Sequence, residues 1–169
     1  MLKKNIILIL CFIFIVSCTQ TQNKILPTVS TETSAHQEKD TYYVENPSDS
    51  AQLYVKIIHP SDWNQGELPT VFLVPGATGD SSAFLSRKTS AQDLADQGFT
   101  VVIFDPDGRG NSAGKEDHDG FIQQDGLKAI IEYVAKLPEV DSDKMGIASF
   151  SFGVTMASGV LSRYPDLPI

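Results

Sequence analysis

A serine between two small residues is the feature of this sequence that could do chemistry. Ser149, Ser151 and Gly153 form a small-x-Ser-x-Gly pattern where an apolar strand, beginning at residue 144, runs into a helix over residues 154–164. At so sharp a corner the two backbones nearly touch, so the residues two before and two after the serine must be small. The pattern predicts either an exposed nucleophile or an ordinary helix cap, because serine is also a favoured N-cap residue.

Alternating apolar strands and amphipathic helices must position this corner. A lead-in strand pair is predicted at residues 41–44 and 52–59, and strands buried on both faces at residues 70–74 and 99–104. Helices are predicted at residues 90–97 and 121–137. This alternation indicates an α/β fold, with a mostly parallel sheet and helices on both faces.

Two glycine-containing loops follow the two buried strands. Residues 75–79 read P-G-A-T-G, and residues 105–112 read D-P-D-G-R-G-N-S. Open α/β sheets place their chemistry at the carboxyl ends of parallel strands, where both loops and the serine corner fall. Backbone N–H groups of the first loop could stabilise the negative charge that develops on a carbonyl oxygen during acyl transfer.

In this order, the three segments resemble those of the α/β-hydrolase superfamily. Residues 149–153 resemble its nucleophile elbow. Residues 75–79 resemble its H-G-x-x-G oxyanion loop with Pro75 in place of histidine, and residues 105–112 resemble its D-x-R-G-x-G-x-S turn with Asp107 in place of arginine. The departure at Asp107 bears on loop packing more than on catalysis. The resemblance covers residues 41–169, and the strand pair with L-P-T-V-F-L-V-P-G is most similar to dienelactone-hydrolase-like and prolyl-oligopeptidase-type enzymes.

The resemblance implies a role for each matching residue. Ser151 would be the nucleophile, the backbone N–H groups of Ala77 and Phe152 would form the oxyanion hole, and Gly76 would belong to the oxyanion loop. No metal or organic cofactor is implied. Acidic residues in the loop over residues 105–116 have EF-hand spacing, but Arg109 occupies a ligand position and a strand precedes the loop. The glycine spacing there also differs from that of a dinucleotide loop.

The histidine that should activate the serine is missing from the expected place. A serine hydroxyl needs a base, and in this fold the chain order is Ser, then Asp or Glu, then His. Asp166 follows Ser151, but His36, His59 and His118 all precede it. The sequence therefore predicts an α/β-hydrolase domain over residues 41–169 that is incomplete at its carboxyl end after the elbow helix, with negligible turnover.

The amino-terminal residues predict export and lipidation. Lys3 and Lys4 precede an apolar stretch over residues 6–16, and Ser17-Cys18 follows, which resembles a bacterial lipobox. We expect residues 1–17 to be a lipoprotein signal peptide, Cys18 to carry the lipid that anchors the protein to a membrane, and residues 18–40 to be a flexible tether. The expected location is the bacterial cell envelope, in the outer membrane if the cell is Gram-negative.

Composition narrows the class of partner. The 169 residues are 41% hydrophobic and 20% charged, as in globular proteins, and the formal net charge of −8 disfavours nucleic acid. The favoured function is a serine hydrolase acting on a small-molecule ester or peptide-like acyl bond through an acyl-serine intermediate. The alternatives are a non-catalytic surface lipoprotein that keeps the fold for binding, and a cofactor-free haloperoxidase that uses the same elbow.

Overall fold

A five-stranded sheet with helices on both faces makes up the part of the chain that the computed structural model describes, residues 40–86 and 90–169. The predicted signal peptide, Cys18 and all but the last residue of the predicted tether lie outside the described residues. The strands are β1 (Thr41–Glu45), β2 (Gln52–Ile58), β3 (Leu68–Val74), β4 (Thr100–Phe104) and β5 (Val140–Ser149). The helices are a 3₁₀ helix at Ser81–Phe84, α1 (Ala91–Ala95), α2 (Phe121–Val134) and α3 (Gly153–Arg163).

The order of the strands confirms the predicted α/β-hydrolase fold. The sheet runs β1-β2-β4-β3-β5, and β3 pairs in parallel with both β4 and β5. The lead-in strands are antiparallel, since β1 pairs with β2 and β2 with β4 in that sense. Because β3, β4 and β5 run in the same direction, the loops that follow them meet at one edge of the sheet.

The central strand β4 is apolar from Val101 to Phe104 because both of its faces are covered. Val102 and Phe104 belong to a core that α2 and α3 cover, whereas Val101 and Ile103 belong to a second core beneath the 3₁₀ helix and α1. Side chains alternate across a strand, so a strand covered on both faces favours apolar residues at successive positions. All five residues of β4 are buried.

Helix α2 shows the apolar face that its sequence predicts. Leu127, Ile130, Ile131 and Val134 are fully buried against the sheet. The helix ends at Val134 rather than at Leu137, whose N–H bonds to the Val134 carbonyl in the following turn. At 14 residues, α2 is the longest helix in the described ranges, and none there is long and apolar enough to cross a membrane.

Strand β5 differs from its prediction in its start and its burial. It begins at Val140, which pairs with Leu68, and residues 141–144 form an irregularity before Met145 pairs with Thr70. β5 is also an edge strand with a neighbour on one side only. Its residues from Gly146 to Ser149 are therefore half-buried, not buried as the sequence predicts.

Candidate active site

Ser151 lies in a strained backbone conformation at the corner between β5 and α3. Its φ is +50°, a left-handed value that costs a residue with a Cβ on the order of 1 kcal/mol. The Phe150 N–H donates to the Val74 carbonyl at 3.2 Å, and the Gly153 N–H donates to the Phe150 carbonyl at 2.9 Å. These bonds hold the corner against the end of β3, and the Ser151 side chain is exposed.

Two glycines let the corner and the loop after β3 approach each other. A Cβ added to Gly153 would lie 2.3 Å from the Pro75 carbonyl oxygen, and one added to Gly76 would lie 2.5 Å from the Phe150 carbonyl oxygen. Real Cβ atoms do not approach other atoms so closely. The close approach at Gly153 is the physical reason for the glycine in the small-x-Ser-x-Gly pattern.

The loop after β3 forms one wall of a cleft that contains Ser151. The Gly79 N–H donates to the Gly76 carbonyl at 3.0 Å, and Ala77 has a φ of +50° within this turn. The cleft has a volume of about 400 Å³. Its walls come from the loop, the 3₁₀ helix and the corner: Pro75, Gly76, Ala77, Gly79, Ala83, Phe84, Phe150 and Ser151.

The two predicted oxyanion donors are placed differently. Ala77 lines the cleft together with Ser151, whereas Phe152 does not line it and its side chain is 48% exposed. In residues 40–86 and 90–169, no carbonyl or side chain accepts a hydrogen bond from the N–H of either residue. Both N–H groups therefore keep their capacity to bind a further oxygen, as an oxyanion hole requires.

The turn after β4 holds the start of the 3₁₀ helix that follows residues 75–79. The buried Asp105 carboxylate accepts hydrogen bonds from the Ser81 N–H at 2.8 Å and from the Asn111 N–H at 2.7 Å. A Cβ on Gly110 would lie 2.2 Å from this carboxylate. Ser112 Oγ donates to the Asp105 carbonyl and accepts from the Tyr54 N–H at 2.8 Å. The residues of this turn that resemble the family pattern therefore stabilise the local structure around residues 105–112.

Asp107, where the family has arginine, is fully buried. Asn46 Nδ2 donates to Asp107 Oδ1 at 2.7 Å, and Gln123 Nε2 donates to the Asp107 carbonyl at 2.8 Å. Asp107 Oδ2 has no hydrogen-bond partner in the described residues. Burial raises the pKa of Asp107 to about 6, against the opposing effect of the Asn46 hydrogen bond.

Arg109 joins three segments around the site, a role that sequence reasoning missed. Its guanidinium pairs with Glu116 and with Asp119 at 2.8 Å, and its Nη1 donates to the Gly79 carbonyl at 3.4 Å. The hydrogen bond from Arg109 lowers the pKa of Glu116, whereas burial raises the pKa of Asp119. An arginine followed within ten residues by several acidic residues, in a loop between a buried strand and a helix, is the signal that could have revealed it.

Neither described histidine is brought to Ser151. His59 follows β2 beside Thr100, the first residue of β4, and its ring stacks on Trp63 with centroids 4.0 Å apart. That is the amino end of the parallel strands, opposite to the edge that holds Ser151. His118 lies in the loop after β4 with its side chain 78% exposed, and its Nδ1 is 3.7 Å from a Glu116 carboxylate oxygen.

The sheet order, the helices on both faces and the serine at the strand–helix corner beside a glycine loop define an α/β-hydrolase. Within that class, the family model described as X-Pro dipeptidyl-peptidase (S15 family) matches residues 49–168. The chain therefore belongs to the S15 peptidase family. No curated protein sequence matches it.

Solved structures share the fold of this chain. Est1E from Butyrivibrio proteoclasticus, solved with ferulic acid bound, is 26% identical with a TM-score of 0.62, over 74% of this chain and 48% of that one. XC6422 from Xanthomonas campestris, an α/β serine hydrolase without a lid, is 24% identical with a TM-score of 0.53, over 74% and 56%. Porphyromonas gingivalis dipeptidyl peptidase 4 is 22% identical with a TM-score of 0.54, over 73% and 18%. The chain thus spans about half the length of the first two and less than a fifth of the third.

Proposed function

We propose that this chain is the elbow-bearing part of a serine hydrolase that cleaves ester or peptide-like acyl bonds through a covalent acyl-serine intermediate. The observation that carries the proposal is the positive φ of Ser151 at the corner, with its side chain in the same cleft as Gly76 and Ala77. Membership of a peptidase family and similarity to an esterase with a bound aromatic acid support the two kinds of bond.

The proposed chemistry assigns one step to each group. Ser151 Oγ attacks the carbonyl carbon, the bond from that carbon to the leaving oxygen or nitrogen breaks, and the hydroxyl proton passes through a base to the leaving group. The N–H groups of Ala77 and Phe152 stabilise the intermediate oxyanion, and each such donor contributes about 3 kcal/mol. Neither His59 nor His118 lines the cleft that contains Ser151, so we propose negligible turnover by the described residues alone.

Covalent labelling tests the nucleophile. We expect a fluorophosphonate to label Ser151 slowly, with imidazole in the buffer as the proton acceptor, and Ser151→Ala to abolish the label in intact-mass and peptide spectra. Ser158→Ala, which removes an exposed hydroxyl from α3, is the matched control and should label at the parent rate. Brisk hydrolysis of p-nitrophenyl acetate by the unaided chain would contradict the proposal of negligible turnover.

The second candidate is a non-catalytic lipoprotein that keeps the fold for binding. The position of both described histidines away from Ser151 favours it. A chain whose Ser151 resists labelling, while it stays folded by circular dichroism, would support this candidate over the hydrolase.

Anchorage at the cell envelope is part of the proposal and rests on the lipobox-like residues that end at Cys18. Expressed in a bacterial host, the chain should incorporate an alkyne-tagged fatty acid and fractionate with membranes. Cys18→Ser should abolish both, whereas Cys11→Ser, within the predicted signal peptide, should leave both unchanged. Equal incorporation by the parent and Cys18→Ser would contradict lipidation at this residue.

A further inference from the structure

The described residues that line the cleft at Ser151 include no charged side chain. Its walls are two phenylalanines, two alanines, two glycines, a proline and the serine itself. Its volume of about 400 Å³ lies in the range of small-molecule sites. Shape and lining together suit a compact organic group rather than a long peptide.

An aromatic pair is part of the lining of this cleft. The rings of Phe84 and Phe150 have centroids 5.4 Å apart and are tilted by 51°. Phe84 is buried, whereas Phe150 remains 44% exposed. A ligand that covered the exposed part of Phe150 would remove apolar surface from water and add an aromatic contact to an existing pair.

The 3₁₀ helix that carries Phe84 is fixed by hydrogen bonds at its amino end. The Asp80 carboxylate accepts from the Ser82 N–H at 2.9 Å, which caps the 3₁₀ helix, and the Ser81 N–H is bound by Asp105. Phe84 itself packs into the core that includes Leu73 and Ile103. The aromatic surface is therefore a preformed wall, which lowers the ordering cost of binding.

From this geometry we infer that the cleft is the acyl-group subsite of the hydrolase, and that it selects an aromatic acyl group over a small one. The inference rests on the proposed function, because Ser151 Oγ would form the covalent bond that holds the acyl group in the cleft. It adds the substrate class and assigns Phe84 and Phe150 as the residues that determine specificity.

Phosphonofluoridates that differ only in the group kept on phosphorus test this subsite. The Oγ–P bond forms as the P–F bond breaks, fluoride leaves, and the hydroxyl proton passes to imidazole in the buffer. The kept group takes the place of the acyl group. We expect the phenyl reagent to label Ser151 about tenfold faster than the methyl reagent. Each labelling rate is first divided by the rate at which the same reagent reacts with buffer alone.

Variants connect the preference to the aromatic pair. Phe150→Ala should bring the phenyl-to-methyl ratio close to one, and Phe84→Leu, which keeps an apolar side chain in the core, should lower it severalfold. Phe121→Ala is the matched control, since Phe121 is 70% exposed at the start of α2 and does not line the cleft; it should keep the parent ratio. Labelling of Ser151 at equal phenyl and methyl rates would overturn the subsite alone. Failure of every reagent to label Ser151 would overturn the hydrolase proposal and, with it, this inference.

Discussion

Replacing Gly153 by alanine should lower the free energy of unfolding by about 2 to 3 kcal/mol. The new methyl group would lie 2.3 Å from the Pro75 carbonyl oxygen and 3.2 Å from a Val74 methyl carbon. Gly153 does not have a positive φ, so steric overlap is the cause rather than backbone strain. Relief of the overlap requires the corner to move away from β3, and Ser151 would leave the cleft with it.

Gly146→Ala is the matched control, because Gly146 lies in the same strand and nothing comes within 4 Å of an added Cβ. Urea unfolding followed by circular dichroism should place Gly146→Ala within about 0.5 kcal/mol of the parent, since glycine is a poor strand residue in any case. Equal stabilities for the two variants would show that the corner yields without cost, contrary to the close approach described above.

Replacing Asp107 by asparagine should raise the free energy of unfolding at neutral and alkaline pH. This change should be about 2 to 3 kcal/mol more favourable than the change that the same substitution causes in acid. Burial raises the pKa of Asp107 to about 6 in the folded chain, from its ordinary value of 3.8. Asp49 and Asp117 raise it further, while the hydrogen bond from Asn46 lowers it. A carboxyl that ionises in this position keeps one oxygen, Oδ2, without a partner in the described residues.

The sign follows from the direction of the pKa change. Because the folded pKa exceeds the unfolded one, the folded state binds this proton more tightly, and the favourable contribution is lost as the pH rises through about 6. Urea unfolding of parent and Asp107→Asn between about pH 4.5 and pH 8 should show a stability difference that grows with pH. A difference that stays constant over this range would contradict the assignment.

A control with the opposite sign is available in the same chain. The hydrogen bond from Lys144 lowers the pKa of the exposed Asp141. The stabilisation from this hydrogen bond is therefore present above the pKa that Asp141 has in the unfolded chain, and it disappears only in acid. Asp141→Asn should change the profile only below about pH 4, outside the window in which Asp107 acts.

The parts of the fold that the sequence predicted well are those that depend on burial. Val101 to Phe104 could be recognised because both faces of β4 are covered, and the stripe from Leu127 to Val134 because one face of α2 is. The order of the three loops then placed the chemistry at one sheet edge. These features follow from side-chain periodicity, which a sequence displays directly.

The parts that the sequence did not predict depend on contacts between distant polar groups. Arg109 stands out in the sequence only as a poor calcium ligand, yet it contacts the loop after β3 and the start of α2. The burial of Asp107 depends on Asn46, 61 residues away. The early start of β5 at Val140 depends on its pairing with Leu68. Such contacts have no periodic signature along the chain.

The contacts that seat the elbow join backbone to backbone: Gly153 lies against the Pro75 carbonyl, and Gly76 against the Phe150 carbonyl. Every residue type supplies a carbonyl, so these two contacts leave the side chains at positions 75 and 150 free to differ, whereas they require both glycines. This freedom accounts for a proline where the family pattern has histidine. Searches for related genes that demand the histidine would pass over chains with this geometry, whereas searches for a glycine just after the third strand, followed later by the small-x-Ser-x-Gly corner, would find them.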